Sequence, residues 1–486
     1  MSVRQTHILV AGGLMLLMQS ICMADNNDVE ATGVPSAKVL SRTQDDRRPD
    51  EQYQTTLFGR PLTIGGEYGF TPVYRKDFAF GRRGDDLLRL DQQLELEFLY
   101  AWSPDISVFL EGKYKHSNEL HVEGGPDEID DALERGETWV YAANLHDGRW
   151  GVQVGRQNIR EKREWWWDED LDSVRVHYDE GPFHAELAIG EELGSLSVEN
   201  DIDPGREDIF RILGRGTWEW ARKQRLEFFF INQDDHSGTP VSGAILSDNR
   251  EDKEDADLSW YGLRAMGRIK HRSTGRYYYW VDTGYVRGRK MTIDFDPAGP
   301  GLSMVDTVTP EKVRGWAADL GVTWKTTLTG QPSFTLGFAH GSGDGNPADG
   351  TDHAYHQTGL QDNNGKFRGV DRFRYYGELL RPELSNLQIL TLSVGFPILT
   401  NSSVEIPLHF YRQVNASTIF RNTRLRTGPD GISRSIGTEI DVVVGIEEWE
   451  HLELEFVAGI FRAGSAFGAE SGDYAGTAII KLNYNF

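Results

Sequence analysis

The sequence predicts an all-β fold: a transmembrane antiparallel β-barrel of about 18 strands, with short periplasmic turns and long extracellular loops. Three observations carry it. At the end of the chain Ile480, Leu482, Tyr484 and Phe486 alternate with Lys481, Asn483 and Asn485. Successive strand side chains point to opposite faces, so this segment has one apolar and one polar face, the pattern of a strand between lipid and lumen. The connections fall into two alternating classes, tight turns and long polar stretches, which is the outer-membrane signature. Past the N-terminus, no apolar run approaches the roughly 18 residues of a membrane helix, whereas a spanning strand needs only about 9–11, half of them polar.

The elements follow in order. Residues 1–24 read as a secretory signal peptide: Arg4 is the basic start, Ile8 to Leu17 the apolar stretch, and Cys22-Met23-Ala24 the small-x-small cleavage site. The single cysteine lies in that segment, so the mature chain would carry none, which suits an oxidising periplasm. Residues 25–60, polar and without periodicity, read as a flexible periplasmic segment, and residues 61–486 as the barrel. The first strand is expected over about Leu62 to Tyr74. In Leu88 to Trp102 the residues Leu94, Leu96, Phe98, Tyr100 and Trp102 share the lipid face, and Gln93, Glu95 and Glu97 the lumen face. A turn at Ser103-Pro104-Asp105 follows. Further short turns fall at His146 to Arg149, Asp179 to Pro182, Ala221 to Lys223, His271 to Gly275, Thr327 to Pro332, Pro397 to Ser402 and Glu447 to Glu450. Eight turns make eight hairpins, and the first and last strands bring the count to eighteen, a ring wide enough to hold an aqueous channel.

Composition excludes other classes. The net charge is -24, from 51 Lys and Arg against 75 Asp and Glu, and nucleic-acid binding needs a basic surface instead. Catalytic signatures (G-x-S-x-G, H-E-x-x-H, a phosphate loop) are absent from the sequence. No cofactor is expected. The one metal candidate is a loop Ca²⁺ site offering Asp344, Asn346, Asp349 and Asp352 as oxygen ligands, against the plainer reading of a polar extracellular loop.

Two segments concentrate charge beside aromatics. One is Gly155-Arg156-Gln157-Asn158-Ile159-Arg160-Glu161-Lys162-Arg163-Glu164-Trp165-Trp166-Trp167-Asp168, leaving the outer end of a strand. Its arginines can fork to carboxylates and its indoles can offer platforms to sugar rings; the alternative is a rim salt-bridge cluster. The other spans His356-Gln357-Thr358-Gly359-Leu360, Phe367 to Glu378 and Arg381 to Gln388, and suits a loop folded into the pore, with an external loop as the alternative. Arg156, Arg160, Arg372, Arg374 and Arg381 are the expected cationic contacts of a constriction. Asp168 and Glu378 would hold them and keep binding releasable, as transport requires.

These stretches resemble the outer-membrane porins that secrete alginate. The likeness rests on G-R-Q-x-x-R-E at Gly155 to Glu161, on Gln357-Thr358-Gly359-Leu360, on Gly377-Glu378-Leu379-Leu380-Arg381-Pro382-Glu383-Leu384-Ser385-Asn386-Leu387-Gln388, and on Phe461 to Gly468. The resemblance implies an 18-stranded barrel whose arginine-lined constriction passes a polyanionic polysaccharide outward. The chain departs from the family pattern where pore arginines would fall at Gly136, Asn158 and Glu455, and where Glu447 to Glu450 replaces a long periplasmic plug loop. The expectation is a monomeric channel of the Gram-negative outer membrane that conducts an acidic polysaccharide or oligosaccharide. Its partners would be outer-membrane lipid and, as further candidates, periplasmic export components. The rival expectation is an uptake porin for small anionic or sugar solutes.

Overall fold

The computed structural model describes residues 52–81, 86–121, 128–195, 197 and 202–486. The expected signal peptide lies outside them, as does the leader up to residue 51. Eighteen strands form one closed ring. The first six are β1 (Arg60–Lys76), β2 (Leu87–Ser103), β3 (Ile106–His121), β4 (Glu128–Asn144), β5 (Trp150–Arg160) and β6 (Asp168–Glu180). Then come β7 (Phe183–Glu191), β8 (Ile209–Ala221), β9 (Gln224–Asp235), β10 (Glu254–His271), β11 (Gly275–Gly299) and β12 (Leu302–Lys325). The ring ends with β13 (Ser333–Gly341), β14 (Leu387–Pro397), β15 (Ser402–Gln413), β16 (Ser435–Ile446), β17 (Leu452–Ala463) and β18 (Tyr474–Asn485). All eight short turns fall between the strand pairs where the sequence puts them.

Closure depends on the last residues. β18 pairs antiparallel with β1 from Asn485 opposite Glu67 to Gly476 opposite Lys76. Phe486 and Gly66 exchange both backbone hydrogen bonds at 3.0 Å. The Phe486 ring occupies the space where a Cβ on Gly66 would stand, 2.6 Å away. Pro72, which has no N–H to donate, interrupts this ladder without shifting its register.

Alternation sets the two faces. Phe98, Leu110, Val154, Leu187, Leu263, Leu320, Leu392 and Ile480 are exposed on the outside, while Glu95 and Glu97 are buried inside. Trp102, Trp150, Phe183, Trp218, Trp220 and Trp449 are exposed beside the short turns, the position of an interfacial girdle.

Two features go beyond the sequence expectations. Tyr53–Leu57, expected in a flexible segment, pairs with Arg60 to Ile64. The reason is that β18 ends opposite Glu67 and leaves that edge of β1 open. In addition, β11 and β12 outrun their neighbours: Ile293 to Gly299 pair with β12 alone, beyond the last β10 partner at Thr292. This hairpin projects roughly 20 Å past the rim, with Ile245–Ser247 laid along its edge.

Candidate functional site: an arginine-lined mouth beside an infolded loop

The segment 161–167 turns inward because its own carboxylate organises it. Glu161 accepts hydrogen bonds from the backbone N–H of Arg163 (2.8 Å), Trp165 (2.6 Å) and Trp166 (3.1 Å) and pairs with Arg264 on β10. Arg264 also pairs with Asp282, and Arg163 reaches Asp282 at 3.0 Å and Asp319 at 2.6 Å. Every one of these groups is buried, so each ion depends on its partners for solvation. Trp165, Trp166 and Trp167 are 0 to 1% exposed, with Trp166 stacked on Phe229 and Trp165 on Tyr355. They are core residues of the filled lumen and not sugar platforms, a correction to the sequence expectation.

The wall has room for them because glycines line it. A Cβ on Gly262 would stand 1.8 Å from Trp166, and one on Gly284 2.7 Å from the Tyr355 hydroxyl. Residues 342–386 then descend inside the barrel. Asp362 and Asn363 donate their N–H groups to the Glu164 carbonyl at 3.0 and 2.8 Å, and the Tyr375 hydroxyl donates to the Arg163 carbonyl at 2.9 Å. At the tip, Arg368 lies over the Tyr278 ring at 4.1 Å, and Val370 N–H donates to the Ser403 hydroxyl at 2.8 Å. Both contacts are close to short turns, so the loop nearly spans the lumen. It returns past Tyr376, whose hydroxyl donates to Asp319 (3.0 Å), and Leu379, whose N–H donates to Glu439 (2.7 Å). At Gly377 (φ 111°) a Cβ would stand 2.2 Å from the Tyr411 hydroxyl, so the turn needs glycine.

Six of the seven expected site residues meet along this loop. Arg160 contacts Glu164 at 2.6 Å and Asp168 at 3.5 Å, and Arg372 reaches the same Glu164 oxygen at 2.5 Å. Arg374 pairs with Asp362, and its N–H donates to Glu378 at 2.7 Å. Arg381 closes the series on Glu378 at 2.8 Å. Arg156 stands apart, buried 3.6 Å from Asp172, which Arg135 already holds at 2.7 Å. The expected Ca²⁺ ligands are not gathered. Asp352 binds Lys290 (2.9 Å) and His356 (2.8 Å), while Asp344 and Asp349 accept from Asn346 and Thr351 N–H groups.

Glu164, Asn363 and Arg381 all have positive φ, 49°, 50° and 49°. For Glu164 and Arg381 this costs about 1–2 kcal/mol each and is held in place by the surrounding contacts. Burial, and then the charge of Asp168, push the Glu164 carboxyl up to about 8, outweighing Arg372 and Arg160.

Sequence reasoning missed three cationic residues that complete the site. The loop 414–434 bridges the infolded loop and the end of β1: Arg424 N–H donates to the Leu380 carbonyl (3.1 Å), and Arg426 N–H to the Phe78 carbonyl (3.0 Å). Arg424 is thereby set beside Arg381, and Arg75 and Arg374 act on it as further positive charges. Burial first, then Arg381 and Arg75, press its pKa down. A guanidinium does not deprotonate in proteins, so Arg424 stays a cation among like charges. Among the described residues neither Arg75 nor Arg424 has a carboxylate partner. Arg89 lies next to them on β2, paired with Asp91 at 2.9 Å. The lumen parity of Arg75 and Arg89, shared with Glu67 and Glu95, was the available signal. A cavity of about 120 Å³ opens here, lined by Asp362, Arg374, Tyr376, Arg381, Glu383 and Asn422. Deeper on the β2–β3 wall the sign reverses, with Glu95 and Glu111 around Lys113 at 3.4 and 2.9 Å.

A family model described as alginate export matches residues 60–481. The alginate production protein AlgE of Pseudomonas aeruginosa is 24% identical over 375 residues, covering 72% of this chain and 74% of the relative. That of Pseudomonas syringae pv. tomato is 20% identical over 370 residues, covering 69% and 71%. Among solved structures, Pseudomonas aeruginosa OccK5 (OpdH) superposes with a TM-score of 0.51 at 8% identity, covering 87% of this chain and 98% of that one. Acinetobacter baumannii OccAB2 gives 0.51 at 10% identity with the same coverage. Both likenesses concern the barrel fold.

Proposed function

Since this chain belongs to the alginate export family of Gram-negative outer-membrane β-barrels, we propose that it is a monomeric channel conducting an acidic, alginate-like polysaccharide outward, with no reaction catalysed. The observation that carries the reading is the pair of cations Arg75 and Arg424, without an ion-pair partner among the described residues, beside Arg381 and Arg374, in a protein whose net charge is -24. Fixed charges at a narrow place set selectivity because little water separates them from the permeant. Loop charges farther than about 8 Å are screened at physiological salt. The carboxylates Glu378 and Asp362 neutralise part of the cluster, so a passing polymer is attracted and released. The path runs along the β2–β4 wall, since the infolded loop fills the opposite side.

Planar-bilayer recordings test this. Arg381→Glu combined with Arg424→Glu should lower the anion-over-cation permeability ratio severalfold and weaken current block by oligouronates. An unchanged ratio would remove the arginine mouth from the mechanism. One feature favours uptake of small anionic or sugar solutes: the cationic group faces the outside, where an incoming anion meets it first. Polymer secretion by cells carrying and lacking the intact chain separates the two, as only export lowers released polymer when the channel is lost.

A further inference from the structure

A second cavity, of about 210 Å³, opens at the outer ends of β8, β9 and β10, across the loop segment 356–360 from the arginine mouth. Its floor includes Trp260, whose indole N–H donates to the His356 carbonyl at 2.8 Å. Two arginines line it, and they differ. Arg206 is saturated by Glu169 at 2.7 Å and Glu192 at 2.8 Å. Arg211, only 7% exposed, makes one long hydrogen bond, from Nε to the Gln233 side-chain oxygen at 3.3 Å. Its two terminal nitrogens have no partner among the described residues, and no carboxylate pairs with it. A largely buried guanidinium with a single long hydrogen bond is short of acceptors, and this one lines the cavity.

The rest of the lining narrows what could answer it. Glu169, Asp235 and Glu254 stand around the same space. Glu254 is held loosely, 3.8 Å from Lys290 and 3.9 Å from Arg421, which leaves its oxygens able to accept from hydroxyl groups. Three carboxylates against two guanidiniums disfavour a dianion such as sulfate about twice as strongly as a monoanion, and a monoanion that carries hydroxyls can donate to those carboxylates. A neutral sugar would leave Arg211 unpaired. The volume lies below the roughly 300–1,000 Å³ of sites for drug-sized ligands, enough for one ring and not for a length of chain.

We infer that this cavity is a binding site for a single polyhydroxylated monocarboxylate of the hexuronate class, its carboxylate on Arg211 and its hydroxyls on Glu254 and Asp235. The site is separate from the arginine mouth and stands whether or not polymer passes there.

The full chain in detergent micelles, titrated calorimetrically with glucuronate, tests it. Saturable binding is expected, with glucose and sulfate competing poorly. Arg211→Gln should weaken glucuronate roughly ten- to hundredfold, the worth of hydrogen bonds to a charged group, and Arg211→Lys should weaken it less. Glu254→Gln, across the cavity, should weaken it severalfold and guards against misfolding of the arginine variants, which heat-modifiable gel migration also reports. Bilayer anion selectivity should stay unchanged in Arg211→Gln. Absence of saturable glucuronate binding, unaltered affinity in folded Arg211→Gln, or displacement by sulfate as effective as by galacturonate would each overturn the assignment.

Discussion

The two sides of the lumen solve the same problem differently. On β10 to β12 the charges are closed: side chains of Arg264, Asp282 and Glu161 are 0% exposed and satisfy one another, with indole and phenol rings packed around them. On the outer halves of β2 to β4 the charges are open: Arg89 and Asp91 are 31% and 32% exposed, and Lys115 43%, beside Glu134 at 2.7 Å, whereas Glu95 and Glu111 deeper on the same wall are buried. A closed network fixes a loop in place because removing any member strands a buried ion. An open one leaves its ions hydrated and exchangeable, as a permeant needs. The filled side is therefore scaffold for the infolded loop, and the open side is where the proposed path would run.

The sharpest way to break this comparison is Arg264→Leu. It leaves Glu161, Asp282 and Glu227 without their shared cation, and about 3–5 kcal/mol should be lost. Arg89→Leu on the open side should cost under about 1 kcal/mol. Equal losses in urea unfolding of the two variants would mean that the sides are not distinct. Next in size is the register of the wall. Leu96→Arg, on the lipid face, should cost roughly 2–4 kcal/mol, and Glu95→Arg, in the lumen, much less; similar costs in folding titrations would reject the facing. Gly284→Val should follow, at about 1–3 kcal/mol from overpacking, since its side chain would displace Tyr355. Because that displacement loosens the infolded loop, single-channel conductance should rise as stability falls.

The smallest effect belongs to Glu164. Its carboxyl, at about 8 instead of the ordinary 4.5, keeps its proton at pH 7 and loses it by pH 9. A raised carboxyl pKa means that the folded protein binds this proton more tightly than the unfolded chain does. The resulting stability is fully present below 4.5 and fades as pH rises through about 8. Deprotonation also adds a negative charge beside Asp168 and Asp362, whose oxygens lie within 4.8 Å, so anion preference should fall modestly between pH 7 and 9. In Glu164→Gln that step should vanish from reversal-potential measurements; a step of full size would place the titrating group elsewhere.

Much of this protein was legible in its sequence. Strand positions, all eight turns, the lipid and lumen faces and closure through Phe486 follow from a period of two residues and from turn chemistry, which act between near neighbours. The grouping of Arg160, Asp168, Arg372, Arg374, Glu378 and Arg381 was half legible, as arginines crowded into two segments. Only the tertiary structure decided that Trp165 to Trp167 are core, that Arg156 is withdrawn, and that Arg75, Arg89 and Arg424 join the mouth. These outcomes depend on where a long loop lands. The contacts that decide it join residues far apart in the chain, Glu161 with Arg264 and Tyr375 with Arg163, on glycine-floored wall positions such as Gly262 and Gly284. A local pattern can say which face of a strand is polar. Which distant carboxylate or ring will meet that face is fixed by packing once the ring has closed.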